Sequence, residues 1–174
     1  MKEIIKLIMP TLDYEHQVMA YKEAFIKSGE NLAGCGSLRD KQVYQDWLDD
    51  LLILRTKVID LRVPSTTYLA IRISDDKLVG NCDLRHHINH PILALWGGHI
   101  GYSVSTLERN KGYGTETLRL ILLKAKSIGL KSVLVTCNEE NIASNKIIKN
   151  NGGKYTSTVE VEDEKINKYL ISLA

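Results

Sequence analysis

The stretch GYSVSTLERNKGYGTE, residues Gly101–Glu116, joins a short β-branched strand to a helical run through a turn with two glycines one residue apart. A helix start leaves several backbone N–H groups without partners, and the helix dipole adds partial positive charge there. Glycine lets such amides close on an anion with no Cβ in the way. Gly112 and Gly114 are placed for this, Thr115 and Glu116 fall in the first turn, and Arg109 and Lys111 add charge at the rim. Read alone, the turn is equally a tight strand-to-helix connection with a solvated basic face. Two common phosphate loops are excluded. No G-x-x-x-x-G-K-[ST] string occurs. Three residues after Gly114 stands Thr117, where a dinucleotide fingerprint needs glycine.

Upstream of the turn, TTYLAIRIS (Thr66–Ser74) and LVGNCDLRHH (Leu78–His87) read as strands of a hairpin around SDDK. HIGYSVS (His99–Ser105) is a third strand, after a loop holding Pro91 and Gly97-Gly98. Downstream, Leu118, Ile121, Leu122, Ala125 and Ile128 recur at helical spacing until Gly129 stops the run. KSVLVTC (Lys131–Cys137) has the pattern of a fully buried strand. A helix is expected from about Ile142 to Asn150, and KYTSTVEV and INKYLISL flank the turn EDEK. At the amino end, EIIKLIM (Glu3–Met9) is a short strand ended by Pro10. Val18, Tyr21 and Phe25 mark a helix over about Asp13–Lys27, and Val43, Trp47, Leu51 and Leu54 a second over about Arg39–Val58. The order β-αα-βββ-α-β-α-ββ feeds an antiparallel meander into a β-α-β crossover. The expected class is therefore α+β, with a central mixed, mostly antiparallel sheet flanked by helices.

A chain of 174 residues is one ordinary domain, so residues 1–174 are expected to share a single core. Hydrophobic residues at 44% and charged residues at 25% are a soluble balance. A net charge of +2 with no basic block gives no reason to expect nucleic acid. No apolar run approaches a membrane span, and MKEIIKLIMPTLDYEH is too short and polar for a secretory signal. Cys35, Cys82 and Cys137 fit neither a disulfide framework nor a zinc pattern, so no metal and a reducing cytoplasm are expected.

Val104-x-Thr106-x-x-Arg109-x-x-Gly112-x-Gly114 resembles the V-x-P-x-x-[RQ]-x-x-G-x-[GA] core of the GNAT N-acetyltransferase superfamily. VLVTCNEENIASNKIIKNNGG (Val133–Gly153) resembles that superfamily's following strand, Asn-containing turn, helix and terminal glycines. The element order matches as well, and the likeness is greatest to a group of uncharacterised bacterial acetyltransferases. The resemblance implies a GNAT-like acyl-CoA N-acyltransferase fold with acetyl-CoA as cosubstrate and a primary amine as acceptor, joined in a ternary complex. It places the pyrophosphate on the amides of Lys111, Gly112, Tyr113, Gly114 and Thr115, with Arg109 and Asn110 at the rim. It lays the pantetheine arm between GYSVS and VLVTC against backbone groups of Tyr102 and Val104. It makes the Val104 amide the oxyanion donor and Asn141 and Ser144 cofactor contacts, although Asn141 also reads as a helix N-cap. Lys146 or Lys149 would meet the adenosine 3′-phosphate.

Two departures from the family pattern matter. Its proline is Thr106 here, and the tyrosine that many members use as acid, four residues after the Ser144 position, is Ile148. An alkyl amine with a pKa near ~10.4 costs roughly 4.6 kcal/mol to deprotonate at pH 7, so the site must provide a base, a water chain or a pocket that lowers that pKa. His99 beside the thioester and His86 on the preceding strand are the first candidate bases, with His87, Asp83 and Glu108 behind them. Tyr102 and Tyr169 are candidate acids, and Cys137 reads as core. The missing tyrosine keeps a second reading open, a non-catalytic acyl-CoA-binding sensor. The last two strands offer an edge for a homodimer.

Overall fold

A computed structural model describes residues 4–57 and 62–174. In chain order its elements are β1 (Ile5–Ile8), α1 (Glu15–Ser28), α2 (Tyr44–Leu54), β2 (Ser65–Arg72), β3 (Lys77–Arg85), β4 (Ile100–Val104), α3 (Tyr113–Ser127), β5 (Ser132–Asn138), α4 (Ile142–Asn150), β6 (Lys154–Val161) and β7 (Glu164–Ser172). This is the order read from the sequence. The expected strand start at Glu3 and helix end at Val58 lie outside the described residues.

The strands form two sheets, β1-β2-β3-β4 and β5-β7-β6, and each described ladder is antiparallel. Helix α3 packs Leu118, Ile121 and Ala125 on Cys82, Leu84 and Ile100 of the first sheet and Val133 and Val135 of the second. One apolar core thus runs beneath both sheets, and Ile148 and Tyr169 close its far end. A second core lies on the opposite face of the first sheet. There Val18, Tyr21 and Phe25 of α1 and Tyr44, Trp47 and Leu51 of α2 cover Leu69, Ile71 and Leu78. Trp47 donates its indole N–H to the Cys35 carbonyl at 2.8 Å, and Tyr44 its hydroxyl to the Thr11 carbonyl at 2.9 Å. The first bond fixes the connection between α1 and α2, which forms one wall of the site, and the second ties α2 to the segment before α1.

The resemblance implied that GYSVS splays from VLVTC, and β4 and β5 share no ladder. The structure joins them at a single residue and then splays them. The His99 N–H donates to the Leu134 carbonyl at 2.8 Å, and the Leu134 N–H donates to His99 Nδ1 at 2.9 Å. The ring satisfies the buried Leu134 amide in place of a backbone carbonyl. Gly98 permits the approach, since its φ is +66° and a Cβ there would stand 2.7 Å from the Leu134 oxygen.

Other differences are local. Helix α2 begins at Tyr44 and not near Arg39, because Lys41 is extended. The Lys41 ammonium pairs with Asp50 at 2.9 Å and its carbonyl accepts from Lys22. Tertiary bonds here override local helix preference, so Val43 is exposed and Tyr44 takes the core position. Ile128 follows the last turn of α3 and is exposed as well. The segment before β4 carries a short wide helical turn, Leu93–Gly97.

Removing the His99 ring should orphan the buried Leu134 amide. His99→Ala is expected to cost about 1–3 kcal/mol in urea denaturation. His99→Asn, which keeps an acceptor oxygen, should recover part of that.

Candidate active site

Pairing alternation fixes what the splayed edge of β4 offers. Ser105 donates to the Val79 carbonyl, and Ser103 and Gly101 are the partners of Asn81 and Asp83 on β3. Backbone groups of alternate residues face opposite sides of a strand. Tyr102 and Val104 therefore turn their amides and carbonyls away from β3, to the edge where β4 has no further strand.

The turn after β4 is built for a helix start aimed at this edge. Asn110 and Gly112 have φ of 60° and 84°, and Gly112 is the N-cap of α3. The first intrahelical bond runs from the Glu116 N–H to the Gly112 carbonyl, and no side chain caps the helix. The amides of Tyr113, Gly114 and Thr115 are left for a ligand. The two glycines do different work. A Cβ on Gly112 would meet nothing within 4 Å, so this glycine supplies backbone conformation and an open surface. A Cβ on Gly114 would stand 2.7 Å from Ile147 Cδ1 and 3.5 Å from Val104 Cγ2, so this glycine lets α3, α4 and β4 converge.

Edge and helix start open into one cleft of about 680 Å³. It is lined by Tyr102, Val104, Arg109, Asn110, Gly112, Tyr113, Gly114, Thr115, Asn141 and Ser144, all singled out in the sequence. Lys111 is not among them, since its ammonium turns to Glu108 at 2.9 Å. Asn141 is the N-cap of α4, its Oδ1 accepting from the Ser144 N–H at 3.0 Å. Tyr102 reaches across the gap, its hydroxyl 2.7 Å from Ser144 Oγ. Burial pushes the Tyr102 phenol up to about 12, offset in part by that bond. From the other wall come Phe25, Glu30, Asn31 and Ala33. Ser103 joins that wall to β4, donating to the Ala33 carbonyl at 2.7 Å and accepting from the Tyr21 hydroxyl at 2.9 Å.

The expected bases fall elsewhere. His99 and His86 do not line the cleft. The His99 Nδ1 accepts the Leu134 N–H, and burial lowers its pKa, which keeps the ring neutral for that bond. His86 Nε2 lies 2.9 Å from Thr66 Oγ1 at the far end of β3, and burial lowers its pKa too. Glu108 is 4% exposed and held by Lys77 at 2.6 Å and by Arg72 and Lys111 at 2.9 Å. The bonds from Lys77 and Lys111 bring its carboxyl down to about 2. Ile148 is fully buried in the main core, and burial pushes the Cys137 thiol up to about 11.

Asn145 was missed in the sequence. Its amide donates to the carbonyls of Asn138, Glu139 and Asn141, and its oxygen accepts from Asn167 at 3.0 Å and Tyr169 at 2.6 Å. It locks the β5–α4 turn, and so Asn141 and Ser144, to β7. An asparagine on the buried face of an amphipathic helix was the available signal.

The splayed strand edge and the uncapped helix start lie side by side in one cleft. The family model Acetyltransferase (GNAT) domain matches residues 13–154. The chain belongs to this family and is an acyltransferase. No curated protein matches it. Among solved structures it is similar to a Salmonella typhimurium acetyl transferase that modifies the N-terminal serine of ribosomal protein L7/L12, at 14% identity and TM-score 0.68, covering 98% of this chain and 96% of that one. It is similar to Mycobacterium smegmatis RimJ in complex with CoA-disulfide, at 16% identity and TM-score 0.69, covering 97% and 81%. It is similar to the Microcin C7 self immunity acetyltransferase MccE in complex with acetyl-CoA and AMP, at 16% identity and TM-score 0.66, covering 98% and 93%.

The cation cage around Glu108 predicts an acid response. Its folded pKa of about 2 lies below the unfolded value of ~4.3. The contribution of its ionised form to stability is therefore complete above the unfolded value and is lost as pH falls toward 2. Glu108→Gln should be less stable than wild type at pH 7 by urea denaturation, and the two should converge between about pH 5 and 2.

Proposed function

We propose that the chain is an acetyl-CoA-dependent N-acetyltransferase, moving the acetyl group directly to a primary amine while donor and acceptor share the cleft. One observation carries this reading: the unpaired β4 edge and the uncapped start of α3 open into the same cleft. Acetyl-CoA bound there supplies the acyl group as a thioester. The residues fit it. The amides of Tyr113, Gly114 and Thr115, with the helix dipole behind them, suit the pyrophosphate. The β4 edge at Tyr102 suits an extended amide-bearing arm that pairs like a strand.

Each role then follows from position. The Val104 N–H donates to the carbonyl oxygen as negative charge grows on it. The Tyr102 hydroxyl, oriented by Ser144, donates to the departing sulfur. It comes from β4 and takes the place of the α4 tyrosine that Ile148 displaces. With its pKa pushed up to about 12 it remains a donor throughout the working pH range. The neighbours named above act on a ribosomal protein terminus in one case and bind AMP in another. The shared fold therefore leaves the acceptor to the local chemistry of the second wall.

Acetyl-CoA at one hundred times its Kd should stabilise the protein by about 2.7 kcal/mol. That corresponds to a Tm rise of roughly 5–10 °C for a domain of this size. Gly112→Glu, which puts a carboxylate at the anion cradle, should abolish the rise. No thermal shift in wild type at saturating acetyl-CoA would sink the reading. Tyr102→Phe should lower kcat about 10²-fold in a thiol-release assay while KM for acetyl-CoA changes less than threefold. Equal losses of binding and rate would make Tyr102 a cofactor contact only.

A further inference from the structure

We propose that Glu30 is the recognition carboxylate for an acceptor carrying a second positive charge, and that Arg109 covers it until the donor's pyrophosphate draws that guanidinium away. The inference rests on the acetyl-CoA reading above. Only two carboxylates line the cleft among the described residues, Glu30 and Glu108. Glu108 is buried and saturated by Arg72, Lys77 and Lys111. Glu30 has a single side-chain partner, Arg109 at 2.5 Å, and this pair is solvent-accessible, with side chains 41% and 39% exposed. An exposed ion pair of this kind is weakly held. Arg109 sits on the phosphate turn itself, three residues before Gly112. Lys111 is withdrawn to Glu108, so Arg109 is the basic side chain of that turn left to meet a phosphate. A guanidinium binds phosphate bidentately.

When Arg109 moves, Glu30 stays. Arg39 holds the Glu30 carbonyl at 2.7 Å, which fixes the backbone at the cleft wall. The released carboxylate then faces a cleft already filled on the donor side. Its side-chain partner is on the turn and not on the β4 edge, so it suits a charge on the acceptor other than the reacting nitrogen. That separation is chemically required. A carboxylate paired with the reacting ammonium would raise its pKa and hinder attack. Binding is therefore ordered, donor first, and the acceptor class is an amine bearing a second cationic group.

The test is titration calorimetry on wild type and Glu30→Gln. CoA should bind Glu30→Gln three- to tenfold more tightly than wild type, because Arg109 no longer has a competing carboxylate. Pantetheine, which lacks the phosphates, should bind both alike. In the presence of saturating CoA, 1,4-diaminobutane should bind wild type at least tenfold more tightly than n-butylamine, and Glu30→Gln should lose that preference. Unchanged or weaker CoA binding in Glu30→Gln overturns the covering role. Equal binding of the two amines, or binding of neither, overturns the recognition role. If wild type does not bind CoA, the donor reading itself fails, which is a separate result.

Discussion

Leu134 gives its carbonyl to the His99 backbone and its amide to the His99 ring, so one residue consumes both of its hydrogen-bonding groups. The two sheets are joined at that point, and the strands separate beyond it. An unpaired strand edge is normally a hazard, since any extended chain can add to it. Here the β4 edge is sheltered in a cleft by α3, α4 and the α1–α2 connection, which confines what can reach it. The remaining site geometry follows from the splay. The gap sets how far Tyr102 must reach to meet Ser144, and the end of β4 sets where α3 can begin.

Charge is then distributed so that the helix start stays available. A turn with several cations and an acidic residue could collapse on itself. Instead Glu108 is buried with Arg72 and Lys77 from the first sheet, and it draws Lys111 out of the cleft. The amides of α3 are left bare, and Arg109 is left on an exposed partner. Buried charges of this kind are costly unless fully compensated. With three cations around one carboxylate the charge is compensated, and Lys111 is one of the three.

Much of this architecture was legible in the sequence because it is encoded locally. The glycine turn, the α3 stripe at Leu118, Ile121, Leu122 and Ala125, and the alternation of strands and helices are short-range patterns, and they gave the element order and the helix start. What failed depends on distant partners. His99 looked like a base because it lies beside the site in sequence, but its ring is committed to Leu134, 35 residues on. Gly114 was singled out for its amide, but the reason a glycine is needed there, the close approach of Ile147 on α4, depends on a distant residue. Asn145 stood out only as an asparagine on a buried helix face, because its oxygen's partners, Asn167 and Tyr169, are on β7. Helix α2 starts late because Lys41 answers to Asp50 and Lys22.

The two walls of the cleft belong to different cores. The donor wall, from β4 through α3 and α4, rests on the core shared by both sheets. The opposite wall, from Gly29 to Ser37, rests on α1 and α2 and is anchored by the Trp47–Cys35 bond. Substitutions distant from one another act independently unless they share partners. A side chain such as Asn31 can therefore change without disturbing the amides of α3, whereas Glu30 is coupled to the turn through Arg109. The exceptions are the points where the walls touch. Ser103 bonds to both Tyr21 and Ala33, and a Cβ on Gly34 would stand 2.7 Å from the Gly101 oxygen. At those two contacts the second wall is tied to β4, and an alteration there bears directly on the strand edge.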